Sequence, residues 1–160
     1  MKYILSVNSR GYTYLEMLLV LIILTMFLSL AYPAVGAFIS QGELRGQARQ
    51  VFADVNLIRQ TAVMSGEESR LKFYTEKDYY LVVLPDRLER RELPDSISFA
   101  GANFPERNTP SGEKYRVLSF NYNGAPNRAG RVSLENPEGE KRCVIVSLGT
   151  GRPRISSDSP

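Results

Sequence analysis

The clearest hydrophobic feature of the chain is a run of twenty-three uncharged residues, positions 17–39. A helix of about 20 apolar residues is long enough to cross the hydrocarbon core of a bilayer. After this run, charged, polar and apolar residues are mixed. The pattern therefore predicts a membrane helix followed by one globular domain.

Beyond the uncharged run, apolar residues recur at spacings of three and four, which is typical of one face of an amphipathic helix. These positions are Leu44, Ala48, Val51, Phe52, Val55, Ile58 and Ala62. Charged residues occupy the other positions, namely Glu43, Arg45, Arg49, Asp54 and Arg59. Ser65-Gly66 is a typical stop signal. We therefore predict a helix over 12–65 whose second half packs on a sheet.

The rest of the chain consists of short β-rich runs separated by turn residues. Strands are predicted over 70–75, 78–84, 88–93, 97–100, 116–122, 130–135 and 142–148, with a polar loop over 101–113. The expected fold class is α+β. A long N-terminal helix, transmembrane in its first half and amphipathic in its second, packs on antiparallel β-sheet.

Composition narrows the range of functions. The formal net charge is +3, so a generally basic nucleic-acid binder is not indicated. The sequence contains no histidine, which removes the commonest general base and metal ligand. Its single cysteine, Cys143, cannot form an intramolecular disulfide and is predicted to be a small buried side chain. We expect no enzyme activity, no cofactor and no metal site.

Glu16 borders the uncharged run, where a charge is costly unless it has a partner or a role. A cleaved secretory signal would have a shorter apolar core with a small-residue cleavage site after it. A plain single-span anchor does not explain the acid. Its position alone also allows a carboxylate that simply sits at the headgroup level near a helix N-terminus.

The stretch Arg10-Gly11-Tyr12-Thr13-Tyr14-Leu15-Glu16 and the apolar residues after it resemble the class III signal of type IV prepilins. The resemblance implies a leader peptide over 1–11 and cleavage after Gly11 by a prepilin peptidase. Tyr12 would become the methylated N-terminal residue, where the family usually has phenylalanine. Lys2 and Arg10 give the leader the positive charge of a cytoplasmic end, and their loss leaves a side-chain charge of +1.

Two more residues match this family. Glu16 becomes the fifth mature residue, which in the family's model pairs with the N-terminal amine of a neighbouring subunit during assembly. Pro33 matches a proline that kinks the helix in family members. The resemblance implies a transmembrane and filament-core helix over 12–40. Residues 41–160 then form the amphipathic helix end and a β-rich pilin domain.

The same resemblance implies a location and a set of partners. The protein would cross the cytoplasmic (inner) membrane once, with its C-terminal domain outside the cytoplasm, and later enter a cell-surface or periplasmic filament. Its partners would be the prepilin peptidase, other pilins or pseudopilins, an inner-membrane assembly platform and membrane lipid.

The second half of the chain carries a narrower resemblance. Residues 52–62 with 70–73, the segment 120–124 and the closing segment 144–154 resemble the GspH/FimT group of minor pilins. Competence pseudopilins of the ComGD kind share much of this layout. The implied function is a minor pilin or pseudopilin of a type IV pilus-like filament, with the tip as one position. The alternative is a structural pseudopilin of a type II secretion system that does not bind DNA.

The closing segment contains Gly151-Arg152-Pro153-Arg154. In the FimT-like branch, a C-terminal Gly-Arg-x-Arg stretch is associated with DNA binding during natural transformation. Two guanidiniums on an exposed turn would make forked contacts to phosphates. The candidate DNA-binding residues are Arg152 and Arg154, with Arg128, Arg131, Lys141 and Arg142 around them. Alternatively, these arginines only solvate the last strand or pair with acidic neighbours.

Overall fold

The computed structural model describes residues 13–149 and 151–157, except for the side chains at 30–35 and 37. Within these ranges the chain forms one α-helix and nine β-strands. They are α1 (Tyr14–Ser65), β1 (Ser69–Tyr74), β2 (Tyr79–Val83), β3 (Leu88–Glu92), β4 (Ser98–Ala102), β5 (Glu106–Asn108), β6 (Lys114–Phe120), β7 (Gly130–Glu135), β8 (Lys141–Val146) and β9 (Pro153–Ser156). The predicted α+β class is confirmed.

The chain divides into two compact units, and the division falls between Gly36 and Ala37. In the first unit, the large apolar side chains of α1 from Tyr14 to Leu28 are exposed to between 43% and 82%. Among the described residues, no helix has the length and apolarity needed to cross a membrane.

In the second unit, α1 and two antiparallel sheets share one core. The five-stranded sheet has the order β3-β2-β1-β6-β5, and the four-stranded sheet has the order β4-β7-β8-β9. The predicted apolar stripe of α1 lies in this core. Leu44, Ala48, Val51, Val55, Ile58 and Ala62 are buried, and Phe52 is partly buried against them. The amphipathic half of the helix is therefore confirmed, and it ends at Ser65 as predicted.

Phe73 of β1 joins the two sheets through ring contacts. Its ring centroid lies 5.8 Å from that of Tyr80, a neighbour in the five-stranded sheet. It also lies 5.9 Å from Phe99 of β4, in the four-stranded sheet, and 5.7 Å from Phe104 in the β4–β5 connection. Aromatic pairs of this kind stabilise the fold beyond the contribution of burying their apolar surface. The aromatic cluster thus holds one sheet against the other.

Asp54 was predicted to lie on the polar face of α1, and this prediction is wrong because its side chain is buried. Its Oδ2 accepts a hydrogen bond of 2.7 Å from the Tyr80 hydroxyl. The Arg91 Nε lies 3.8 Å from the same oxygen. Burial and the bond to Asp54 raise the pKa of Tyr80, so this phenol stays protonated and continues to donate. A buried carboxylate is tolerated when it has such partners, and here it links α1 to the five-stranded sheet.

Two short strands were not predicted. β5 lies inside the predicted loop over 101–113, and β9 lies in the closing segment that was expected to form an exposed turn. Both are edge strands, and β5 is exposed at all three of its positions. An edge strand buries little, so its sequence lacks apolar alternation and pairing with its neighbour defines it. Arg154 therefore belongs to a strand rather than to a turn.

The edge of the five-stranded sheet opposite β5 is β3, whose sequence is Leu-Glu-Arg-Arg-Glu. Its charges neutralise one another within the strand and its flanking turn. Arg87 pairs with Glu89 at 2.6 Å, and Arg90 pairs with Glu92 at 2.8 Å. Arg91 contributes a further pair with Glu89. The edge is therefore covered with ion-paired side chains.

Candidate assembly residues and nucleic-acid interface

Glu16 lies in the first turn of α1 and is exposed. Its backbone N–H donates to the Thr13 carbonyl at 3.0 Å and lies 3.4 Å from the Thr13 hydroxyl oxygen. Thr13 therefore caps the helix, and Glu16 occupies the third helical position, as in a capping box. The acid also suits the positive end of the helix dipole. The carboxylate lies at the surface while it supports the helix start.

The other predicted assembly residues stay predictions. The leader, including Gly11 and Tyr12, lies outside the described residues. Pro33 lies within α1, which is helical from Tyr14 to Ser65. A proline at this position removes one backbone hydrogen bond of the helix. The kink at Pro33 stays a prediction.

The four-stranded sheet places two of the candidate DNA-binding arginines in one row. Ile145 of β8 pairs in register with Arg131 of β7 on one side and with Arg154 of β9 on the other. Paired residues of an antiparallel sheet point to the same face. Arg131 and Arg154 are both exposed. With strands about 4.8 Å apart, the two backbones lie about 10 Å apart with Ile145 between them.

The remaining candidates have different surroundings. Arg128 is exposed in the β6–β7 connection, and Arg152 is exposed immediately before β9. Lys141 pairs with Glu135 at 3.5 Å, so its charge is already compensated. Arg142 follows Lys141 in β8. It points to the face of the sheet opposite the row of Arg131 and Arg154, beside α1. The structure brings Arg131 and Arg154 together and separates Arg142 from them.

The Gly-Arg-Pro-Arg segment begins at Gly151, whose backbone conformation is tightly constrained. Its φ of +59° lies in the left-handed region, where glycine is favoured. Its N–H donates to the Ser147 carbonyl at 3.0 Å. A Cβ at this position would lie 2.6 Å from the Gly124 carbonyl oxygen and 3.4 Å from the Arg59 Nε. The connection before β9 therefore touches both α1 and the β6–β7 connection.

Sequence reasoning missed this convergence of three segments. Arg59 was predicted only as a surface charge of the helix, yet it is half-buried, and its Nε donates to the Gly124 carbonyl at 3.4 Å. Gly124 itself has a φ of +72°. The Asn-Gly sequence at 123–124 signalled a turn, but no local pattern indicates which other turn it meets.

A long helix whose second half packs on two antiparallel sheets is the architecture of a pilin-like subunit. Over the part that aligns, the fold is similar to that of the minor pseudopilin EpsH of the type 2 secretion system of Vibrio cholerae, with a TM-score of 0.54 and 14% sequence identity over 72% of this chain and 97% of that one. The type IV minor pilin FimU of Pseudomonas aeruginosa shares it with a TM-score of 0.50 and 16% identity, over 76% and 92% of the two chains. At these sequence identities the two likenesses show the fold alone.

Together with this fold, the sequence matches show that the protein is a type IV pilin-like minor pseudopilin. The family model described as type II transport protein GspH matches residues 47–150, and the chain belongs to this family. It is 26% identical over 148 residues to competence protein ComGD of Bacillus subtilis, covering 92% of this chain and 94% of that relative. It is also 26% identical over 147 residues to type II secretion system protein H of Pseudomonas aeruginosa, covering 92% and 74%.

Proposed function

We propose that this minor pseudopilin enters a type IV pilus-like filament after losing its leader, with the first half of α1 as membrane anchor and then as filament core. The observation that carries the proposal is the exposed apolar surface of α1 from Tyr14 to Leu28. A continuous apolar surface of this size needs a cover. Lipid would provide it before assembly, and the helices of neighbouring subunits would provide it afterwards.

The proposal includes the partners and location that follow from this role. A prepilin peptidase cuts after Gly11 and the new N-terminus at Tyr12 is methylated. The subunit then waits in the cytoplasmic membrane, with its β-rich domain outside the cytoplasm, until an assembly platform adds it among other pilins. Glu16 pairs with the N-terminal amine of a neighbour, because a carboxylate in an apolar filament core requires a positive partner. The protein has no catalytic activity of its own.

Processing in the presence of an active prepilin peptidase tests this proposal. We expect the mature chain to begin at Tyr12, as N-terminal sequencing or intact mass would show, and a Gly11→Leu variant to keep its leader. We expect Glu16→Gln to be cut normally but to disappear from sheared filaments, because the amide has lost the charge that pairs with the amine.

The matched control is Glu76→Gln, which removes one exposed carboxylate from the β1–β2 turn and should leave both processing and incorporation unchanged. An intact leader on this chain, beside a second pilin that the same peptidase cuts, would contradict the proposal.

A second candidate function is DNA capture by the filament, in which this subunit exposes its basic surface. The row formed by Arg131 and Arg154, together with exposed Arg152 and Arg128, supports it. Guanidiniums contact phosphates without reading the base sequence. A relative named as a competence protein supports this candidate. A relative named for type II secretion supports the alternative, a structural pseudopilin that does not bind DNA. We place the DNA-binding subunit at the filament tip, where the sheet face is accessible.

Titration of the full chain in neutral detergent with a short DNA duplex separates the two candidates. At about 50 mM and about 200 mM salt we expect sequence-independent binding that weakens as salt rises. Arg152→Ala/Arg154→Ala should weaken it by at least about tenfold and lower the salt slope by about two, one for each phosphate contact.

Arg87→Ala/Arg90→Ala is the matched control, because it removes the same charge from an edge whose arginines already have carboxylate partners. An equal loss in this control, or no binding by the unaltered chain, would favour the secretion pseudopilin.

A further inference from the structure

A cleft of about 360 Å³ lies between α1 and the four-stranded sheet, away from the row of Arg131 and Arg154. Its lining residues are Arg45, Ala48, Arg49, Arg142 and Ile155. Arg45 and Arg49 are four residues apart on α1 and therefore share one helix face. Arg142 comes from β8 and Ile155 from β9, so three guanidiniums converge from two elements on one space.

These three arginines have no carboxylate partner among the described residues, in contrast to most arginines of the five-stranded sheet. Arg70, Arg87, Arg90, Arg91 and Arg116 each form an ion pair with a nearby carboxylate. Three like charges around one cleft repel each other. A bound anion would relieve this repulsion, and the cleft is the space that it would occupy.

The chemistry of the lining specifies the anion. A guanidinium presents a planar fork that matches two oxygens of a phosphate, and three forks can surround one phosphate group. Buried Ala48 and half-exposed Ile155 add an apolar wall. Such a wall suits the carbon-bearing part of a phosphate ester better than a bare ion. We propose that Arg45, Arg49 and Arg142 form a binding site for the phosphate group of a phosphate ester.

Two sources could supply this group, a soluble phosphorylated compound or a phospholipid headgroup. Arg45 follows Ile39, the last residue of the uncharged run, by six residues, or about 9 Å along a helix. The headgroup layer beside the hydrocarbon core is about 5–8 Å thick. Arg45 lies just beyond this layer, and its long side chain can extend back into it, so the headgroup is the favoured source. This choice rests on the membrane anchoring proposed above, whereas the phosphate chemistry of the cleft does not.

The cleft is distinct from the candidate DNA surface. Side chains alternate between the two faces of a strand. In β9, Ile155 lines the cleft, whereas Arg154 pairs with Ile145 on the opposite face. In β8, Arg142 and Ile145 are three positions apart, an odd number, so they also point to opposite faces. A ligand in the cleft therefore leaves Arg131 and Arg154 uncovered.

The test uses the full chain, ¹⁵N-labelled in neutral detergent, and follows the side-chain Nε–H signals of its arginines. Inorganic phosphate and a short-chain phosphatidylglycerol are titrated separately. We expect saturable shifts confined to Arg45, Arg49 and Arg142. Tighter binding of the lipid by about tenfold or more identifies the headgroup as the source, and equal binding identifies a soluble phosphate compound.

Variants test whether the guanidinium groups of the three arginines account for the phosphate affinity. Arg45→Ala/Arg49→Ala should weaken it by at least about tenfold, and Arg45→Lys/Arg49→Lys should restore only part of it, because lysine keeps the charge but not the fork. Both residues are exposed on α1, and alanine and lysine are good helix formers, so folding is kept. Arg87→Ala/Arg90→Ala is the control with the same loss of charge.

Three results would overturn the proposal. The first is that neither phosphate probe binds saturably. The second is that the control variant loses as much affinity as Arg45→Ala/Arg49→Ala. The third is that Arg45→Ala/Arg49→Ala weakens duplex DNA binding as strongly as Arg152→Ala/Arg154→Ala, which would make the cleft part of a DNA surface. A chain that binds phosphate in the cleft but no DNA would leave this proposal intact and remove only DNA capture.

Discussion

Replacing Phe73 with alanine is expected to be the most destabilising of the substitutions considered, with a loss of about 3–5 kcal/mol in the free energy of unfolding. The side chain is fully buried. Its ring contacts Phe99 and Phe104 across the gap between the sheets and Tyr80 within its own sheet. Alanine would leave a cavity at the place where the two sheets meet, and neither sheet can move to fill it without losing its packing on α1.

Thermal unfolding of the full chain, followed by circular dichroism in one detergent, measures this effect. Phe38→Ala is the matched control, because Phe38 is 78% exposed on α1, and its removal should change the stability by less than about 0.5 kcal/mol. A loss below about 1.5 kcal/mol for Phe73→Ala would mean that the sheets are held together mainly by other contacts.

Gly151→Ala is expected to cost at least about 2 kcal/mol and also to weaken any binding that depends on Arg152. Two causes act together. The φ of +59° is strained for alanine, and the new methyl group would lie 2.6 Å from the Gly124 carbonyl oxygen. Backbone rather than a flexible side chain lies in the way, so the connection before β9 must move. Arg152 is the next residue and moves with it.

The control for this substitution is Gly46→Ala. Gly46 lies in α1 and has nothing within 4 Å of the added Cβ, so alanine should stabilise the helix by about 1 kcal/mol. Stability of both variants is compared by thermal unfolding, and DNA affinity by the titration already described. If Gly151→Ala kept both stability and affinity, the connection before β9 would be more adaptable than its contacts imply.

The helix and most strands could be predicted because their buried apolar residues recur at the regular spacing of a helix or a strand. Leu44, Val51 and Ile58 follow the helical period, and 130–135 was predicted with the observed bounds of β7. Asp54 could not be placed correctly, because the partner that makes its burial tolerable is Tyr80, on another element. β5 and β9 were missed for a related reason: what defines them is the neighbouring strand rather than their own sequence.

The candidate basic surface was predictable only as a list of charges. The strand register places Arg131 and Arg154 on either side of Ile145. Because side chains alternate along β8, Arg142 points to the face of the sheet opposite Ile145. The cleft near Arg45 and Arg49 was missed, although the sequence carries a signal for it. Neither arginine has an acid three or four residues away on the helix, the spacing at which ion pairs usually form.

The ion-paired edge strand β3 has a consequence for how subunits can meet. Unpaired backbone groups at a sheet edge attract strands from other molecules. On β3, an arriving strand would have to displace the pairs of Arg90 with Glu92 and of Arg91 with Glu89. Crowded copies therefore do not readily fuse their sheets through β3, and growth by strand addition is disfavoured at this edge.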